Sequence, residues 1–137
     1  MKARLIFILT LLLLPLHVLA ETDDTEQVAL GVAQSWLAQV DAGDYAASWA
    51  SASAVFQNTV DKQQWEKVAK DMREVGTVVG RSLKSATYTT SMPNAPEGEY
   101  VVIMFDSEFS KQKSVTEKII PMRGDDGKWR VGGYYLE

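Results

Sequence analysis

The feature that most constrains this chain is a change of period at Gly76. Before it, apolar residues recur at helical spacing; after it, they alternate with a period of two. Helices followed by sequential strands make an α+β fold in which an antiparallel meander carries helices packed on one face. The spacing predicts three helices. Across 24–40, Val28, Ala29, Val32, Ala33, Trp36, Leu37 and Val40 gather on one broad face, with Gln27, Gln34, Ser35 and Asp41 opposite. Gly43 then interrupts, and Asp44 is a good N-cap for a second helix that places Tyr45, Trp49, Ala52 and Phe56 at i, i+4, i+7 and i+11. The third helix has the clearest start signal. Asp61 is its N-cap, Gln64 holds the reciprocal capping position, and Val60 and Trp65 form a hydrophobic staple. Its stripe continues through Val68, Met72 and Val75 to a stop at Gly76.

Four strands follow, predicted over 78–90, 99–109, 114–122 and 128–136. Pro93, Asn94, Pro96 and Gly98 mark the first connection. Asp126-Gly127, between two alternating runs, reads as a hairpin turn. The preceding Asp125 hints at calcium, but the loop lacks the ligand spacing of an EF-hand.

The first twenty residues read as a cleaved secretory signal. Lys2 and Arg4 precede an apolar run over 5–14, Pro15 ends it, and Val18-Leu19-Ala20 suits a signal peptidase. The run falls short of the roughly 20 apolar residues of a membrane span. Residues 21–137 are then one exported domain, periplasmic or secreted. Cleavage removes two of the 14 basic residues and none of the 18 acidic ones, so the net charge moves from −4 to −6. An acidic domain without a basic tract is a poor nucleic-acid binder. Cleavage also removes His17, the one histidine, and the chain has no cysteine. Ser-His and Cys-His nucleophiles and typical zinc sites are thereby excluded. Neither a metal nor a cofactor is expected.

Trp36-Leu37, Asp41-Ala42-Gly43-Asp44-Tyr45-Ala46, Trp49, Trp65 and Gly80-Arg81 resemble a family of bacterial exported proteins, the domain of unknown function 4019. Pro96-Glu97-Gly98-Glu99-Tyr100, Phe105, Phe109, Glu117 and the closing stretch 127–135 continue the resemblance. More distantly, the Asp-Tyr-Ala helix and terminal Asp-Gly-Lys-Trp strand are similar to the nuclear-transport-factor-2-like and cystatin-like superfamily. That resemblance implies a curved sheet around a long helix, with a cone-shaped pocket. Neither resemblance transfers a catalytic residue, and fold does not imply function.

Within this frame Glu117 stands out, because it alternates with Val115 and Ile119 on a core-facing row. A buried carboxylate needs a partner; Arg81, Arg123 and Arg130 are the candidates. Asp106 and Glu108 share a row with Tyr100, Val102 and Met104, which suits an open sheet face. Asp41 and Asp44 have turn and capping duties. The reading favoured by these residues is a non-enzymatic module that binds a small apolar or amphipathic ligand, or an envelope protein. Trp36, Tyr100 and Tyr135 would give apolar contact, and Arg81 with Glu117 polarity. The alternatives are a small isomerase or hydrolase, with Glu117 or Asp44 as general base and a tyrosine hydroxyl at an oxyanion, and a structural envelope protein pairing through a sheet edge. Lys111 and Lys113 near a strand end look like protection against such pairing. The sequence does not set the oligomeric state.

Overall fold

The computed structural model describes residues 18–137, with side chains from Asp24 onward. The expected leader over residues 1–20 therefore falls outside the described residues, apart from the backbone of 18–20. The first helix, α1, spans Val18–Asp41. Its buried seam is Ala29, Ala33, Trp36, Leu37 and Val40. This seam is narrower than the apolar stripe in the sequence. Ala29 and Ala33 are small enough to bring the helix close to the sheet, and Val28 turns outward at 55% exposure.

Helix α1 is tied at two points to the first strand, β1 (Val78–Thr89). About a third of the way along the helix, Glu26 Oε1 accepts the Tyr88 backbone N–H at 3.0 Å. At the end, Asp41 meets Arg81 at 2.9 Å. From Glu26 to Asp41 the helix rises about 22 Å, and from Tyr88 to Arg81 the strand covers about 23 Å. The two lengths match, so α1 lies antiparallel along β1.

The remaining helical region differs from the sequence expectation. The second helix is two: α2 (Tyr45–Ser51), capped by Asp44, and α3 (Ala54–Thr59), capped by Ser53. Ser53 is extended, and its backbone N–H bonds Val131 O at 2.9 Å. A helical Ser53 would turn that N–H back into its own helix, so the bond to the sheet breaks the helix there. Next comes α4 (Lys62–Met72), opened by the full Asp61/Gln64 capping box, and a 3-10 helix, Arg73–Val75. Among the described residues the α+β fold thus carries four α-helices and a 3-10 turn rather than three helices. On α4, Trp65 and Ala69 are buried while Val68 is 44% exposed, which moves the stripe by one position.

β1 is followed by β2 (Tyr100–Phe109), β3 (Gln112–Arg123) and β4 (Trp129–Leu136), which pair in sequence order, all antiparallel. This meander agrees with the predicted strands to within about two residues, the usual scatter of element ends. The helix-facing row carries Val101, Ile103, Phe105, Ser107 and Phe109 of β2 and Val115, Glu117 and Ile119 of β3. On the opposite face Tyr100, Ile120 and Met122 form a smaller buried cluster with Val55 and Met92. Asp106 and Glu108 are exposed, as an open face requires. Among the described residues, no helix is long and apolar enough to cross a membrane.

Candidate functional site

The most concentrated polar chemistry lies inside the molecule. Glu117 is fully buried on β3. Arg81 reaches it from β1, with Nε donating to Oε1 at 2.6 Å and Nη2 to Oε2 at 3.1 Å. Ser107 Oγ donates to Oε1 at 2.6 Å, and the Tyr134 hydroxyl donates to Oε2. Arg73 stands 3.8 Å from Oε2 and donates to the Tyr134 oxygen at 2.9 Å. Asp41 closes the arrangement by accepting from Arg73 at 3.0 Å and from Arg81 at 2.9 Å. Two guanidinium groups and two carboxylates balance, which is the condition for burying any of them.

Aromatic rings wall this network. The Arg73 guanidinium lies 5.2 Å from the Phe109 ring centre and 5.6 Å from that of Tyr134. Burial disfavours a charged Glu117, but hydrogen bonds from Arg81, Ser107 and Tyr134 outweigh it and hold the carboxyl below the usual carboxylate range. Burial likewise opposes the Arg81 charge, yet its hydrogen bonds to Asp41 and Glu117 keep it above its ordinary value. The Tyr134 phenol is pushed up, first by burial and then by the adjacent Glu117. Every one of these shifts fixes the resting protonation state. A general base needs the opposite, a raised carboxyl within reach of substrate, and Glu117 has neither property.

The structure therefore selects Arg81 as the partner of Glu117 from the three candidates. Arg123 pairs with Glu99, and Arg130 with Asp126 across the hairpin turn. Sequence reasoning missed Arg73, Tyr134 and Ser107, and placed Asp41 only in a turn. Ser107 carried a signal: it is a small polar residue between Phe105 and Phe109 on the core-facing row. Arg73, on a helix terminus, carried none.

Of the five residues singled out as ligand contacts, Arg81 and Glu117 meet in this network, and Trp36, Tyr100 and Tyr135 lie elsewhere. Trp36 joins Phe56, Trp65 and Tyr134 in an aromatic cluster with ring centres 5.0–6.0 Å apart, filling the space between α1 and the sheet. Tyr100 is buried in the small cluster on the opposite face, its hydroxyl donating to Pro96 O. Tyr135 is 51% exposed on β4 beneath Lys118. Asp44, the alternative base, accepts the Ala47 N–H at a helix start.

Two of the five border open spaces: Arg81, with Ser107, lines a polar cavity of about 430 Å³ on the sheet, and Trp36 lines a groove beside α1. The groove, of about 480 Å³, lies between α1 and the end of α2, lined by Val28, Val32, Trp36 and Val131. Gly31, Ser35, Gln39 and Ser51 complete its lining. The helix break sets its shape, because the Ser53–Val131 bond draws the α2–α3 junction onto β4 beside it. Another cavity of similar volume, at the β3–β4 hairpin, is lined by Arg123, Asp125, Asp126 and Arg130, of which both arginines and Asp126 are held in ion pairs.

No match is found among curated proteins or among solved structures. A family model described as "Protein of unknown function (DUF4019)" matches residues 32–134. The match runs from the middle of α1 into β4 and takes in all six members of the buried network. It spans well over half of the chain, which therefore belongs to that family.

Proposed function

We propose that this is an exported, non-enzymatic domain that binds a small apolar or amphipathic ligand in the groove beside α1. One observation carries the reading: the groove has a concave lining without charge and includes Trp36, whereas the carboxylate best suited to catalysis is sealed inside the protein. Its volume lies within the usual range for small-molecule sites, about 300–1,000 Å³. The enzyme alternative would need a substrate to reach Glu117, which is fully buried behind Arg81, Ser107 and Tyr134. A helix lying along a four-stranded antiparallel sheet supports placing the domain among the nuclear-transport-factor-2-like and cystatin-like folds.

Native mass spectrometry of the protein purified from the compartment that holds it tests this reading. A small-molecule adduct on a chain beginning at Glu21 is the expected result. Bare chain together with a co-purifying envelope protein would replace the ligand by a protein partner. Retention of residues 1–20 would replace export with anchoring.

A further inference from the structure

The groove is polar at one end only, and that asymmetry specifies what it takes. Along α1, Val28 and Val32 occupy one end and Ser35 and Gln39 the other, on one helix face at spacings of four, three and four. The distance from Val28 to Gln39 is about 16 Å. Gln39 Oε1 accepts from Ser51 Oγ at 2.9 Å, which orients the amide. Its two N–H donors have no partner among the described residues. The Ser35 hydroxyl beside it both donates and accepts.

None of the lining residues is charged. An ionised head group placed here would lose hydration with no counter-charge to replace it. Gly31 lies between Val28 and Val32 at the apolar end, where an added Cβ would meet nothing within 4 Å. That leaves space for a chain to lie against the helix backbone.

We infer that the groove selects an uncharged amphiphile. Its hydrocarbon tail lies over Gly31 against Val28 and Val32, and its hydrogen-bonding, non-ionic head sits on Gln39 and Ser35. Gln39 is then the residue that sets head-group specificity. This deepens the proposed function and rests on it.

The test compares three amphiphiles with one tail and different heads: monododecanoylglycerol, dodecanoate and dodecyltrimethylammonium, each below its micelle concentration. Binding to the protein as cells produce it is followed by amide chemical shifts and tryptophan emission. The glycerol ester is expected to bind at least tenfold more tightly than either ion and to shift the amides between Val28 and Gln39. Gly31→Leu fills the groove at a position with free space, and a helix tolerates leucine better than glycine. This variant should keep its fold and lose binding. Gln39→Met should bind all three probes within about threefold of one another. Equal affinity of the three for the native protein, with shifts still in the groove, overturns the head-group inference and leaves the binding function standing. Shifts confined to the outer sheet face, or binding undiminished in Gly31→Leu, overturn the groove. Failure of all three, with a protein partner co-purifying, removes the proposed function as well.

Discussion

Arg81 on β1 and Glu117 on β3 are joined by two hydrogen bonds, 2.6 and 3.1 Å long, that pass over the intervening strand β2. The crossing is possible because Ser107 occupies the β2 row between Phe105 and Phe109. A larger side chain there would fill the path of the guanidinium; serine leaves it open and adds a hydroxyl donor at 2.6 Å. The pair fastens an edge strand to the third strand of the sheet, while Asp41 fastens the end of α1 to the same guanidinium.

Breaking this pair from one side should be costly. Glu117→Gln keeps the size of the side chain but leaves two buried guanidinium groups sharing Asp41 alone, a loss of about 3 kcal/mol in urea denaturation. The pH dependence has a defined sign. The folded carboxyl lies below its unfolded value, so its contribution is complete above about pH 4.3 and is lost as pH falls toward the folded value. Asp126 is drawn down to about 2 by Arg130 and titrates in the same window, but it is exposed and adds little. Denaturation midpoints measured from pH 7 downward should therefore fall less steeply in Glu117→Gln than in the native protein.

Tyr134 provides the matching test at alkaline pH. Its phenol is raised, so the stability it lends is complete below about pH 10 and declines as pH rises beyond that. Ultraviolet titration should show a tyrosine component that ionises only on unfolding and is missing in Tyr134→Phe. The same substitution removes a donor to a buried carboxylate, at a cost of about 2 kcal/mol by denaturant titration.

The break between α2 and α3 rests on Ser53, and its two contributions separate. Ser53→Ala loses the cap on Phe56 N–H, at about 1 kcal/mol. Ser53→Pro loses the bond to Val131 as well; the native φ of −66° suits proline, and Ala52 before it is already extended. Proline should therefore cost about 1 kcal/mol more than alanine, read from thermal and chemical unfolding together. Equal losses would show that the Val131 bond does not hold the junction.

Gly76 ends the helical half with φ 100° and ψ −165°, a conformation that is essentially restricted to glycine. A Cβ there would stand 2.0 Å from Ser110 Oγ and 3.1 Å from the Lys111 nitrogen. Gly76→Ala should lose at least about 2 kcal/mol of stability in denaturant titration, with helix content unchanged by circular dichroism once folded.

Much of this molecule could be read in one dimension. The switch of period at Gly76, the four strands in sequence order, the Asp61/Gln64 cap and the need of Glu117 for a cation all follow from local spacing or from the cost of burying a charge. The choice of cation does not. Arg81, Arg123 and Arg130 are equivalent as residue types, and pairing across β2 brings one of them to Glu117. Arg73 arrives from a helix terminus 44 positions away, a proximity that no periodicity encodes. The same holds for the groove. Val28 and Val32 look like core on a helical wheel, yet the close seating of Ala29 and Ala33 turns Val28 out, and a backbone bond from Ser53 to Val131 shapes the wall opposite. Local sequence determines which residues form helix and strand because backbone geometry is short-ranged. Which side chains meet depends on how those elements settle against each other, and the tertiary structure decided both the partner of Glu117 and the groove beside Trp36.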